Sequence, residues 1–391
     1  MRSTRDRRIA FVMILPSLFL LAIFVYGFIF ATFQNSLTDW GEDRRAGSAM
    51  AAARQSGFVG IDNYRNLMTD ALEFDFRTSM VNTFFYTIFF VGGCLFVGFV
   101  LAALLDMRIR FEGLFRTIFL FPMALSLVVT GTIWRWLYQP VGLNSLPERL
   151  FGLEPYSFNW INSRKRVLPF DWNDVPLYLT YIGLFILSIL VFNYLIKRRW
   201  GAMGWALVIA GVLGFLQGVD FWTTTVWPQT LELDLRAFTP DAPPPGPEAD
   251  MKGFQVALTG IIIAAVWQMA GYTMAMFLAG MRGVPDELRE AARVDGCTEL
   301  GVYWRVVLPQ LRPVALSAMI ILGHISLKSF DLIFAMSGKD NFQTLVPGII
   351  VYSAFDNDRF ARASAVAVVM LVLVCTVIIP YLWTQLRERR D

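Results

Sequence analysis

"EAARVDGCTELGVYWRVVLPQLRP" occupies Glu290–Pro313. It lies between long apolar runs, yet it carries Glu290, Arg293, Asp295, Glu299, Arg305 and Arg312. A stretch this charged is too costly to place in hydrocarbon. Its helix signals come in order. Pro285, just upstream, suits a first helical position, and Asp286 and Glu287 fall where the helix dipole favours anions. Leu288, Ala291, Ala292 and Asp295 continue at helical spacing, and Gly296 can take the left-handed conformation that ends a helix. Thr298 can cap a second helix. Pro309 and Pro313 are expected to stop that helix and restart the chain as the next apolar run. Each arm has about ten residues, so each spans about 15 Å, half a bilayer. The sequence predicts a helical elbow lying on a membrane surface. Ala291 and Ala292 beside Gly296 would allow the close backbone approach that a docking surface uses.

The surrounding chain sets that surface. Of its 391 residues, 56% are hydrophobic and only 17% charged, against about 25% charged in a soluble domain. The mean hydropathy is +0.51. The composition is that of a polytopic membrane protein. A helix needs about 20 mostly apolar residues to cross. Eight runs qualify: Ile9–Phe33, Val81–Leu105, Leu114–Leu137, Val175–Ile196, Ala202–Val219, Phe254–Gly280, Val314–Phe334 and Ala361–Trp383. The fifth is short and Gly-rich, so a re-entrant segment is an alternative there. The first is too long for a signal-peptide apolar region and has no A-x-A site after it, so it reads as an uncleaved anchor.

Basic residues in short loops mark the cytoplasmic side. Arg2, Arg5, Arg7 and Arg8 precede the first run; Arg108, Arg110 and Arg116 follow the second. Lys197, Arg198 and Arg199 follow the fourth, and Arg282, Arg289 and Arg293 follow the sixth. Arg387, Arg389 and Arg390 form the tail. Eight spans put all of these on one side, with both termini cytoplasmic and the elbow beside them. Arg149, Arg164, Lys165 and Arg166 are an exception on the other side, which also holds the Pro-rich loop of Glu232–Lys252.

Glu-Ala-Ala, three residues, Gly, nine residues, a β-branched aliphatic, one residue, Leu-Pro resembles the signature of permease subunits of binding-protein-dependent ABC importers. Here it is Glu290, Ala291, Ala292, Gly296, Val306, Leu308 and Pro309, with Val306 where the pattern prefers Ile. "FVGIDNYRNL", "FRTIFLFPMALSLVVTGTIWRWLYQPVGLNSL" and "SFDLIFAMSGKDN" are similar to the carbohydrate, maltose-type branch of that family. The likeness leaves out about Pro155–Lys252. It implies an all-α fold: a six-helix type I importer core with two inserted helices. Residues 1–80 would be the first helix and its external loop, and 81–385 the transmembrane domain carrying the insertion at 155–252. Residues 386–391 would be the tail.

The resemblance further implies that the elbow, with Asp295 included, couples a cytoplasmic ATPase dimer to the membrane helices. It implies a second permease subunit, an external solute-binding protein, a sugar substrate and a bacterial inner membrane, and no nucleic-acid partner. The chain has no G-x-x-x-x-G-K-[ST] loop, so ATP would be used by the partner and no cofactor is expected here. One histidine, His324, and three scattered cysteines offer no metal site.

Polar groups inside spans face a cavity or a partner helix. Gln268, Tyr272, His324, Lys328, Ser329 and Asp331 are therefore candidates for a substrate path. Lys328 and Asp331 are three apart and could instead pair on one helix face. His324 could be a hydrogen-bonded histidine between helices, and Trp134, Arg135 and Trp136 an interfacial belt. A self-contained secondary transporter or channel would want several carboxylates within the spans, where only Asp331 stands. A membrane-embedded transferase would want an acidic, His or metal cluster, and none is present.

Overall fold

A computed structural model describes residues 4–41, 57–70, 73–107, 110–156, 158–170, 174–196, 200–219 and 253–388. Arg2, Arg108, Lys197, Arg198, Arg199, Arg389 and Arg390 of the charge pattern, and the loop of Glu232–Lys252, lie outside the described residues.

Helix follows helix throughout. α1 (Thr4–Leu21) runs through a π-helical segment, Ala22–Gly27, into α2 (Phe28–Ser36). α3 (Asp62–Thr69) is short, and α4 (Phe74–Asp106) is the longest at 33 residues. α5 (Glu112–Ala124), α6 (Leu127–Leu137) and α7 (Leu146–Phe151) follow. A two-stranded antiparallel sheet pairs β1 (Arg166–Leu168) with β2 (Phe254–Gln255), and between them lie α8 (Val175–Ile196) and α9 (Trp200–Gly218). Then come α10 (Val256–Arg282), α11 (Asp286–Val294) and α12 (Glu299–Val302). A second π segment, Tyr303–Val307, leads to α13 (Leu308–Gln310), α14 (Arg312–Leu327), α15 (Asp331–Ser337), α16 (Pro347–Asp356) and α17 (Phe360–Glu388).

Among the described residues, five helices are long and apolar enough to cross a bilayer: Phe11–Ser36, α4, α8, α9 and α10. Two bent pairs raise that to seven: α5 with α6 at 99°, and Glu299–Gln310 with α14 at 67°. α17 adds a shorter apolar stretch, Phe360–Thr376.

α4 and α10 form the central pair. Lipid gives apolar helices no hydrophobic reason to associate, so close backbone approach and interhelical hydrogen bonds carry the contact. Gly98 supplies the approach: a Cβ there would lie 2.1 Å from Thr273 Oγ1. The Thr273 hydroxyl donates to the Cys94 carbonyl at 2.7 Å. At one end of the bundle Asn82 of α4 donates to the Leu345 carbonyl at 3.0 Å. There Arg362 of α17 bridges Glu73 and Asp75 at 2.5 and 2.7 Å, and Arg359 reaches Glu73 at 3.0 Å. These groups are nearly buried and pin the last helix to the start of α4. The other end of α4, Asp106, meets the elbow. α8 and α9 pack on each other and leave most of their surface outside the bundle.

The structure departs from the sequence expectations at named places. The third apolar run, Leu114–Leu137, is two helices. Leu125 is extended at the break, and Ser126 caps α6 by accepting from Val129 N at 3.2 Å. Gln268 donates to the Leu125 carbonyl that the break sets free, at 2.9 Å. The seventh run, Val314–Phe334, stops at Leu327 and restarts at Asp331. Lys328 therefore closes one helix while Asp331 opens another, and no salt bridge joins them.

Candidate functional site

Glu290–Pro313 folds as the expected elbow. Pro285 is the residue before the first helical position rather than that position itself, and Asp286 and Glu287 fill the first turn. Gly296 ends α11 at φ +83. Cys297 N donates to Ala292 O at 2.9 Å and Gly296 N to Arg293 O at 3.0 Å, the double bond pattern of a Schellman cap. A Cβ at Gly296 would meet open space, so the glycine answers a backbone angle rather than a close approach. Thr298 caps the second arm by accepting from Gly301 N at 3.3 Å.

Pro309 was expected to stop that arm; it lies within it. The missing proline N–H and its ring disturb the preceding turn. The chain absorbs this by widening Tyr303–Val307 into a π segment, with Leu308 N bonded to Tyr303 O. The arm ends at Gln310, and Pro313 opens α14.

One face of the elbow is buried. Ala292, Val302, Tyr303, Val307 and Leu311 pack with Ala102 and Leu105 of α4 and with Met274, Phe277, Leu278 and Met281 of α10. Val306 is half-buried against the same cluster. At its centre Asp106 takes Arg289 at 2.7 Å and accepts the Tyr303 hydroxyl at 2.9 Å. The side chains of Asp106 and Arg289 are only 7% and 14% exposed. Arg289 also donates to the Met281 carbonyl at 2.6 Å. Burial first, and then the hydrogen bond to Asp106, push the Tyr303 hydroxyl up to about 12, so it stays a donor. Sequence reading missed Asp106. Its signal was there: the lone acid closing the apolar run "FVGFVLAALLD".

The opposite face is open. Glu290, Ala291, Asp295 and Pro309 are exposed and Leu308 is half-exposed. Val294, Leu300 and Trp304 are 87%, 70% and 63% exposed. Arg293 and Glu299 join the two arms at 2.8 Å, and that hydrogen bond holds the Glu299 carboxyl below its usual range. Among the described residues Glu290 makes no salt bridge, though its charge is felt by Arg293. The elbow thus offers an apolar and acidic surface while its back is fixed to the bundle.

The six substrate-path candidates are not gathered into one place. Gln268 is buried at the α5–α6 break. Tyr272 is half-buried against the central core. Ser329 donates to the Tyr86 hydroxyl at 3.3 Å, and Asp331 is exposed at the start of α15. His324 and Lys328 line a cavity of about 600 Å³ with apolar residues of α16 and α17. His324 Nδ1 is buried without a hydrogen-bond partner, so the expectation of a hydrogen-bonded histidine is met at most at the other ring nitrogen. Trp134 packs on Tyr138 and Trp267, so only Trp136 and Arg135 of the trio are exposed. Among the described residues no group of His, Cys, Asp and Glu could hold a metal ion.

Residues 95–390 match the family described as binding-protein-dependent transport system inner membrane component. The whole chain aligns with the whole of a probable ABC transporter permease protein of Pyrococcus horikoshii, 29% identical over 395 residues. It is 26% identical to the xylose/arabinose import permease protein XacH of Haloferax volcanii, over 94% of this chain and 85% of that one. It is 22% identical to the trehalose/maltose transport system permease protein MalF of Thermococcus litoralis, over 99% and 96%. Its fold matches a chain of a bacterial ABC transporter involved in the import of the acidic polysaccharide alginate, with a TM-score of 0.59 at 14% identity, over 99% and 96%. The chain belongs to the family of binding-protein-dependent transport system inner membrane components: it is a multi-pass permease subunit of an ABC transporter, served by a solute-binding protein and without an ATPase site of its own.

Proposed function

We propose that this chain is one of two permease subunits of an ATP-driven importer that carries a sugar or oligosaccharide. The elbow is its coupling element, and a cytoplasmic ATPase dimer docks on the exposed face around Glu290, Val294, Leu300 and Trp304. The observation that carries the reading is the two-sidedness of Glu290–Pro313. One face is locked to α4 and α10 through Asp106, and the other holds an unpaired acid and large apolar side chains in water. A surface loop without a partner has no use for such a face.

The remaining organisation follows from this. Eight spans with both termini cytoplasmic place Glu112, Arg282 and the elbow on one side; Arg282 and Glu112 form a salt bridge there. In this arrangement Glu299–Gln310 lies along the surface and α14 alone crosses. Residues 81–385 form the transporter domain, and 155–252 are an insertion whose spans, α8 and α9, stand outside the core. The relatives named for xylose/arabinose and trehalose/maltose support a carbohydrate cargo. Gln268, Tyr272, His324, Lys328, Ser329 and Asp331 remain candidates for contact with it during transport. The setting is a cell membrane of bacterial inner-membrane type.

The test is Glu290→Lys in the reconstituted importer, with maltose and xylose uptake and ATP hydrolysis measured together. Glu290 is exposed and, among the described residues, has only a through-space attraction to Arg293, so insertion and thermal midpoint should be unchanged while transport per ATP falls. Wild-type uptake by this variant would remove the coupling role.

A further inference from the structure

At the end of the bundle away from the elbow, α6, α7 and the start of the inserted segment enclose a cavity of about 890 Å³. It is far from the coupling face. Tyr138, on its wall, donates to Gly260 near the start of α10, whereas the elbow packs on Met274–Met281 of that helix, about 20–30 Å further along at 1.5 Å per residue. The volume is that of a small-molecule pocket.

The electrostatics of the cavity are unbalanced. Arg135 from α6 and Arg149 from α7 both line it, and among the described residues neither has a salt-bridge or hydrogen-bond partner. Glu148 is also on the wall. Unpaired guanidinium groups in a concavity suit a planar anion, which each can take in a bidentate grip. Gln139 and Asn159 are exposed on the wall and offer amide donors and acceptors for hydroxyls. The Tyr156 ring is 71% exposed and offers an apolar face.

A second cavity, of about 400 Å³, continues the first and shares Asn162 and Ser337 with it. It adds Arg164, without a salt bridge among the described residues, Lys339, which is engaged by Asp356 at 2.7 Å, and the acid Asp340, which faces Lys339. Three arginines without a salt bridge, Arg135, Arg149 and Arg164, thus outnumber the two acids, Glu148 and Asp340, along the two adjoining cavities. A chain of sugars with a carboxylate on each residue supplies charge, hydroxyls and ring faces to such a lining; a single neutral sugar leaves the arginines unanswered.

We propose that this groove is an entry subsite for a carboxylate-bearing oligosaccharide, with Arg135, Arg149 and Arg164 as its anion contacts. The proposal rests on the sugar-import reading above and narrows its substrate class. A glycan is favoured over a lipid phosphate because amides and an open aromatic ring accompany the arginines.

The test titrates tetragalacturonate and neutral maltotetraose into the assembled importer in phosphatidylcholine nanodiscs, without the solute-binding protein. Wild type should bind the uronide, and Arg135→Gln with Arg149→Gln should weaken it by at least about tenfold for each arginine. Thermal midpoint and ATP hydrolysis should be unchanged. Equal binding of the two glycans, or undiminished uronide binding by the double variant, would overturn the proposal. So would displacement of the uronide by phosphatidylglycerol, which assigns the arginines to a lipid headgroup. Loss of affinity for the solute-binding protein alone would assign them to protein docking. Uptake in proteoliposomes with the solute-binding protein separates the two readings. If neutral glycans are carried but the arginines discriminate nothing, the groove assignment falls and sugar import stands. If no glycan of either kind is carried, both fall.

Discussion

Asp106→Ala should release the elbow from the bundle without dissolving the bundle. Asp106 is the shared acceptor of Arg289 and Tyr303, and the Asp106–Arg289 pair is almost completely shielded from water. Removing one partner of a buried pair costs about 3–5 kcal/mol, because the other charge is left uncompensated. At about 1.36 kcal/mol per decade this is a loss of about 150- to 5,000-fold in the docked population. Arg289 keeps the Met281 carbonyl, and the apolar back of the elbow stays in contact, so the lower part of that range is expected. Hydrogen exchange of the protein in nanodiscs reads this directly. Amides of α11 and of Glu299–Gln310 should lose about a hundredfold in protection while those in the middle of α4 and α10 keep theirs. Asp106→Ala combined with Arg289→Ala should cost less than the sum of the two single changes, since the second removes the stranded charge. A change under tenfold in the elbow, or equal loss through α4 and α10, would refute the idea of an acid that holds this one element.

Further outcomes follow from single residues. Gly296→Val puts a β-branched side chain at φ +83, so it should weaken the elbow by about 1–2 kcal/mol. Uptake should fall with it, whereas Gly296→Asn, whose side chain tolerates that region, should retain most activity in the same assay. Gly98→Ala drives a methyl into Thr273 Oγ1 at 2.1 Å, between two packed backbones. It should lower stability by about 1–3 kcal/mol, visible as a reduced thermal midpoint. Tyr303 starts from an ordinary value of 10.0 and is raised to about 12, so its contribution is complete below pH 10 and is lost as pH climbs towards 12. Absorbance of tyrosinate should show one fewer late-titrating tyrosine in Tyr303→Phe than in wild type, with the difference centred near pH 12.

The elbow was legible because its signals are local. Asp286, Gly296 and Thr298 act within one turn of themselves, and the structure uses each as the sequence implies. The apolar runs were legible as spans by length alone. Their interruptions were harder. The break at Leu125–Ser126 depends on Gln268, which is far along the chain, and a window of hydropathy averages across it. Lys328 and Asp331 look like one helix turn until Lys328 is seen to end α14. Pro309 stays within its arm only because the π segment before it takes up the strain. Asp106 was marked as a lone acid at the end of an apolar run, but its partners, like those of the Glu73, Asp75, Arg359 and Arg362 cluster, lie on distant segments and could not be read from the sequence.

The pairing of Arg166 with Gln255 has a structural corollary. The polypeptide leaves and rejoins the bundle at this seam, which Phe170 reinforces by packing on Phe84 and Phe85, so α8 and α9 hang beyond it like a pendant. Such an appendage can lengthen, shorten or be exchanged while the force-bearing frame keeps its register, which makes this seam the natural place for the transporter to acquire new outward contacts.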